Sequence, residues 1–167
     1  MKWIKPLVLS VIVLTIVIFL FTLIFPSQVR ISRAIDIAAS RTQLHSVLSD
    51  LETWKEWYPA IRMDTVNQPV LNENKKRLSF GETEIQLLNS TDSSVTVNIR
   101  KGKSAQDYTI NLIEFPQVAI TTVQWFADVK VSWYPWERFG SMLFDKIMGP
   151  GFEATLDALK SYNELKQ

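Results

Sequence analysis

WERFGSMLFDKIMGPGFEATLDALKSYNEL, Trp136–Leu165, closes the chain and carries two apolar stripes of helical period. In its first half Trp136, Phe139, Leu143 and Ile147 recur at steps of three and four, one face of a 3.6-residue helix. In its second half the stripe is Phe152, Leu156 and Leu159, with Thr155 and Tyr162 beside it. Glu153, Asp157, Lys160 and Glu164 take the other side, and Lys160 with Glu164 makes an i,i+4 opposite-charge pair. At roughly 100° per residue the two stripes would point to nearly opposite faces of one straight helix. Gly149-Pro150-Gly151 lies between them. Pro150 lacks an N–H and suits the first turn of a new helix. The pattern therefore predicts two helical pieces, re-aimed at Gly149–Gly151, both packed on one sheet.

The residues that supply such a sheet precede this stretch. Val29, Ile31, Ile35 and Ile37 alternate, with Arg33 on the same register. Ser40-Arg-Thr-Gln43 reads as a capping box for a helix carrying Leu44, Val47, Leu48 and Leu51. Trp54, Trp57 and Tyr58 follow, and Pro59 is expected to stop the run. Ile61–Val66 is read as a short strand. Alternating runs then recur through Arg77–Phe80, Thr83–Leu87, Val95–Ile99, Tyr108–Leu112 and Val123–Val131, separated by polar or Gly- and Pro-containing turns. Close spacing implies antiparallel hairpins with one face buried and one wet. A strand and helix, a block of about six strands and a terminal helix indicate an α+β fold.

The 167 residues suffice for one domain and an N-terminal appendage. Leu7–Phe25 is 19 residues without a charge, about 28 Å as a helix, with Trp3 where an interfacial aromatic would sit. Its length and the absence of a small-residue cleavage pattern at Phe25-Pro26-Ser27-Gln28 read as an uncleaved transmembrane anchor, not a signal peptide. The expected division is residues 1–28 as anchor and linker and 29–167 as the folded domain. The short basic tail of Lys2 and Lys5 places the domain on the extracytoplasmic side of the cell membrane. The three-residue linker would hold it against the bilayer.

Removing Lys2 and Lys5 from the 18 basic residues leaves 16 against 17 acidic ones, so no basic face invites nucleic acid. The chain has no cysteine, which excludes disulfides, thiolate nucleophiles and Cys-based metal sites. Its one histidine, His45, stands beside the apolar stripe of its helix and reads as an exposed residue without an evident catalytic partner. No metal or cofactor is expected: the carboxylate spacings suggest no metal site, and the five glycines form no phosphate loop. The basic clusters Lys75-Lys76-Arg77 and Arg100-Lys101-Lys103 read as solvated turns, with anionic head groups as the alternative contact. Protein partners are not legible.

Three pieces carry a family resemblance. LSDLETWKEWYP at 48–59, the strand block, and MGPGFEATLDALK at 148–160 together resemble the START/Bet v 1-like superfamily, the SRPBCC or polyketide cyclase/dehydrase-type helix-grip domains. The resemblance covers roughly residues 29–166. It implies a curved antiparallel sheet wrapped on the long C-terminal helix, to which the anchor adds one transmembrane helix. It also implies a cavity, since such domains bind or transport lipids, sterols and other apolar ligands, and some catalyse cyclisation or hydrolysis. No shared catalytic motif exists to transfer.

The candidate cavity-lining residues are Trp57, Tyr58, Phe80, Tyr108, Trp125, Trp133, Phe139 and Leu143, with Trp136 beside them. Core packing competes for the same aromatics, because each buries roughly 150–250 Å². Arg33, on the inward register, is either a paired residue or an anchor for a ligand's acidic group. The function expected is a membrane-anchored binding domain for an apolar or lipid-like small molecule. The alternatives are a cyclase- or hydrolase-type enzyme using the same cavity and an interaction domain without a ligand.

Overall fold

Alternating side chains build the sheet. Strand β1 (Gln28–Ile37) turns Ile31 and Ile37 inward and pairs antiparallel along its whole length with β7 (Ile120–Lys130). Between them in sequence lie β2 (Val70–Leu71), β3 (Arg77–Phe80), β4 (Thr83–Thr91), β5 (Ser94–Lys101) and β6 (Ser104–Phe115). They complete a seven-stranded antiparallel sheet in the order β1-β7-β6-β5-β4-β3-β2. The computed structural model describes residues 4–22, 24, 27–72, 74–115, 117 and 119–166. Gly102 turns the β5–β6 hairpin at φ +57°, a left-handed conformation that costs a residue without Cβ little.

The inner face is apolar: Ile85, Val95, Val97, Ile110, Leu112, Val123 and Trp125 are buried. The outer face is a polar lattice. Arg30 holds Asp128 through two 2.7 Å contacts, Asn98 donates to Asp107 at 2.6 Å, and Gln124 donates to Ser32 at 3.0 Å. This division is what period-2 patterning requires of a sheet with one face in water.

Helix α1 (Ile4–Thr22) precedes the sheet. Helices α2 (Arg41–Ser49), α3 (Trp54–Trp57) and α4 (Pro59–Met63) follow β1, and α5 (Pro135–Ser141) and α6 (Phe144–Glu164) close the chain. Ser40 caps α2 as its sequence indicates, its hydroxyl accepting from the Gln43 amide at 3.3 Å. Leu44 and Leu48 of α2 are fully buried. Helix α6 lies on the inner face, and its Phe152, Leu156 and Leu159 enter the same core. The arrangement is an α+β helix-grip fold, a curved antiparallel sheet closed on a C-terminal helix.

Three sequence expectations are corrected. First, among the described residues no helix is long and apolar enough to cross a membrane. The uncharged part of α1, Leu7–Thr22, ends three residues before Phe25 and covers about 24 Å, short of a hydrocarbon core of about 30 Å. The transmembrane anchor, the single-pass membrane localisation and the extracytoplasmic placement are overturned with it. Met1–Trp3, Leu23, Phe25 and Pro26 lie outside the described residues. What α1 does touch is α5 and its approach, where Phe19 and Trp133 stand 5.7 Å apart.

Second, Ile61–Val66 is not a strand. Pro59 occupies the first turn of α4, where its fixed φ starts a helix.

Third, the terminal helix does not break at Gly149–Gly151. Helix α6 runs through them with Pro150 inside, and the interruption lies earlier, at Met142 and Leu143. There the Leu143 amide reaches the Gly140 carbonyl at 3.0 Å in an i+3 turn. Pro150 is exposed, and as a proline it leaves the Lys146 carbonyl without its usual helical donor. The phase mismatch between the stripes is real and is resolved differently. Most of the first stripe stays off the sheet: Trp136 is 68% exposed, Phe139 44% and Leu143 52%, while Ile147, 70% exposed, borders the cleft under α6.

Candidate functional site

Between the inner sheet face and α6 lies a cavity of about 420 Å³, within the range of small-molecule sites. Strands β5, β6 and β7 give it Ile99, Tyr108 and Trp125. The α3–α4 junction gives Tyr58, Pro59, Ala60 and Met63, and α6 gives Ile147, Met148, Gly151, Phe152, Ala154 and Thr155. None of these side chains is charged.

The aromatic wall is continuous. Tyr108 meets Phe152 edge-on at 5.7 Å and Trp125 at 6.3 Å. Trp125 lies 5.9 Å from Trp54, which in turn lies 5.3 Å from Tyr58. The Trp54 indole donates to the Leu48 carbonyl at 3.1 Å, which fixes this wall to α2. The Thr155 hydroxyl donates to the Gly151 carbonyl at 2.7 Å and is thereby occupied. Burial pushes the Tyr58 phenol well above its ordinary pKa, and the neighbouring Tyr108 adds to the effect. Burial raises Tyr108 as well. Both phenols therefore stay protonated at neutral pH.

Of the sequence candidates, Tyr58, Tyr108 and Trp125 line this cavity. The others stand elsewhere. Phe80 is buried in the core on β3, and Trp57, 1% exposed, packs in the core and borders a separate depression with Glu56, Arg62 and Tyr162. Trp133, Phe139 and Leu143 are exposed and outside the cavity lining. They follow the point where the chain leaves the sheet after Val131, so strand and helix registers no longer aim them inward. Sequence reasoning missed Met63, because Ile61–Val66 was read as a strand, and Ala60, which lies between that segment and Pro59. It missed Gly151, Ala154 and Thr155 because they flank the apolar stripe of α6 and do not form it. Met148 carried a usable signal, being four residues before Phe152 on the buried side.

Arg33 is not an anchor for an acidic ligand. Its Nε donates to Glu153 at 2.6 Å, and its Nη1 and Nη2 hold Asp145 at 2.8 and 3.0 Å. Both carboxylates belong to α6, so the arginine ties β1 to that helix. Gly149 makes the approach possible, since a Cβ there would meet the guanidinium. His45, expected to lack a partner, has one: its Nε2 lies 2.8 Å from the Ser90 hydroxyl, beside a polar depression lined by Arg41, Thr42 and Asp92. Lys75 and Arg77 are paired with Glu52 and Glu84 at 3.1 and 2.8 Å. A further depression of about 580 Å³ on the outer sheet face is polar and open, bordered by Asn98, Gln106, Asp107 and Asp128. Among the described residues no group of three or more His, Asp or Glu side chains could hold a metal ion.

Comparison with known proteins agrees with this architecture. A START superfamily protein from Mycobacterium smegmatis is 16% identical, with 83% of this chain and 99% of that one covered at a TM-score of 0.58. XoxI from Bacillus cereus is also 16% identical, covering 83% and 98% at 0.57. The di-domain ARO/CYC StfQ of the steffimycin biosynthetic pathway is 10% identical, and the match spans 83% of this chain and 51% of StfQ at 0.56. At these identities the likeness is one of fold. No curated protein matches the chain. The family described as polyketide cyclase / dehydrase and lipid transport matches residues 28–164, nearly the whole domain from β1 to the end of α6, and the chain belongs to that family.

Proposed function

We propose that the chain is a binding domain for an apolar or lipid-like small molecule, held between the sheet and α6 and released unchanged. The observation that carries this reading is the uncharged lining of the 420 Å³ cavity. Burial of apolar ligand surface contributes about 25 cal/mol per Å² before the costs of association, so such a lining favours apolar occupants. The lipid transport in the family's description supports the same class. The lining offers no carboxylate, histidine or lysine to move a proton, which weighs against acid–base turnover there.

Titration of the full chain with a fluorescent fatty-acid analogue and a fluorescent sterol tests the proposal. Saturable binding of at least one is expected. Ala154→Glu, which puts a charge at the cavity wall, should weaken it about tenfold or more, a loss of about 1.4 kcal/mol. Leu143→Glu, outside the cavity, should leave it unchanged. No saturable binding, or equal loss in both variants, would overturn the reading.

A further inference from the structure

The depression beside Trp57 measures about 340 Å³ and lies between the α3–α4 segment and the C-terminal end of α6. Glu56 and Trp57 of α3, Arg62 of α4, and Ala158, Tyr162 and Leu165 border it, and none of them lines the sheet–α6 cavity. Its walls are pinned to one another. The Tyr162 hydroxyl and the Lys166 ammonium each donate to Glu56 Oε2 at 3.0 Å, which ties the end of α6 to α3. The Arg62 amide donates to the Tyr58 carbonyl at 3.2 Å, so Arg62 stands within one turn of the residue after Trp57.

Two donors on this rim have no acceptor. Trp57 is 1% exposed, yet its Nε1–H meets no hydrogen-bond partner among the described residues. Trp54 shows the ordinary arrangement, its indole donating to the Leu48 carbonyl. A buried donor left unpaired is costly, and native interiors rarely keep one. The exposed Arg62 guanidinium makes no ion pair or hydrogen bond among the described residues either. Glu56, the carboxylate on the same rim, is taken by Tyr162 and Lys166. Arg62 and Lys166 against Glu56 leave positive charge in excess. A hydrocarbon would leave the indole N–H unpaired, and a cation would meet the surplus charge. A water accepts from the indole but brings no charge to the guanidinium. A carboxylate has an oxygen for each donor, and the planar fork of arginine suits it. Ala158, Leu165 and the Trp57 ring offer apolar contact to the rest of such a molecule. We infer that this depression binds a small organic carboxylate, its oxygens accepting from the Arg62 guanidinium and the Trp57 indole. The site is separate from the sheet–α6 cavity and does not depend on the ligand held there.

The test is a titration of the isotope-labelled full chain with benzoate, benzyl alcohol and benzylammonium, followed by the indole N–H signals in proton–nitrogen correlation spectra. The Trp57 signal is assigned through its neighbours Trp54 and Tyr58, whose rings lie 5.0 and 5.9 Å away. Benzoate should move that signal saturably and slow its exchange with solvent. The alcohol and the ammonium should bind at least about tenfold more weakly. Arg62→Met, which keeps an aliphatic stem at an exposed position, should weaken benzoate about tenfold. Ala154→Glu, in the other cavity, should leave benzoate binding unchanged. A Trp57 signal that benzoate leaves in place would overturn the inference. So would equal affinity for benzoate and the alcohol, undiminished binding by Arg62→Met, or loss of binding in Ala154→Glu. None of these results bears on the apolar ligand of the sheet–α6 cavity.

Discussion

Trp136, Phe139, Leu143 and Ile147 repeat at the same steps of three and four as Phe152, Leu156 and Leu159, yet the first set is exposed and the second buried. Both are sound amphipathic faces. They differ in what holds them. The second packs into the sheet core, and Arg33 of β1 ties the same helix at Asp145 and Glu153 with its guanidinium against Gly149. Trp136 and Phe139 belong to α5, across the interruption at Met142 and Leu143, so burial of the second stripe does not carry them inward. Periodicity identifies a face. It does not identify the surface that the face meets.

The largest expected effect separates the two faces by stability. Leu159 is fully buried, and Leu159→Ala should cost about 2–5 kcal/mol in urea unfolding. Leu143→Ala, on the exposed stripe, should stay within about 0.5 kcal/mol. Similar costs at both sites would abolish the distinction.

A smaller effect tests the clamp. The Arg33 guanidinium holds the Asp145 carboxyl below the ordinary carboxylate range. A carboxylate with a lowered folded-state pKa contributes stability above its unfolded value, about 3.9, and loses it as pH falls through the folded value. Arg33→Met should therefore flatten that part of the acid-side decline in stability. It should also speed amide exchange across residues 144–151 at neutral pH, more than across 156–164. Uniform acceleration along α6, or an unchanged acid profile, would show that the arginine does not tie the helix down. Both carboxylates are exposed, so the loss should fall well short of that at Leu159.

The smallest effect is the most specific. Gly149→Ala would ordinarily stabilise a helix by about 0.8–1 kcal/mol. Here the added Cβ meets the Arg33 guanidinium, so a near-neutral result is expected. In the Arg33→Met background, where the flexible thioether can give way, the same change should stabilise. A double-mutant cycle measures the coupling. Equal effects in the two backgrounds would mean that Gly149 has no part in seating the Arg33 guanidinium against α6.

Three of the eight candidate cavity residues line the cavity, for an identifiable reason. Tyr108 and Trp125 stand on the inward register of strands whose alternation is plain in the sequence, and Tyr58 follows a capped helix that has to pack on that sheet. Arg33 shared that register, but its partners did not announce themselves. Asp145 and Glu153 lie 112 and 120 residues away and belong to no pattern with it.

The sequence by itself determined the α+β order of elements, the inner and outer faces of the strands, the Ser40 cap and the family. Each is a short-range pattern, set by side-chain period, capping chemistry or a contiguous match. The tertiary structure decided which stripe of the terminal helices meets the sheet, where those helices part, that Pro59 starts a helix, and which side chains surround the cavity. These outcomes depend on contacts between residues far apart in the chain, such as the two ion pairs from Arg33 to Asp145 and Glu153, which local periodicity does not reveal.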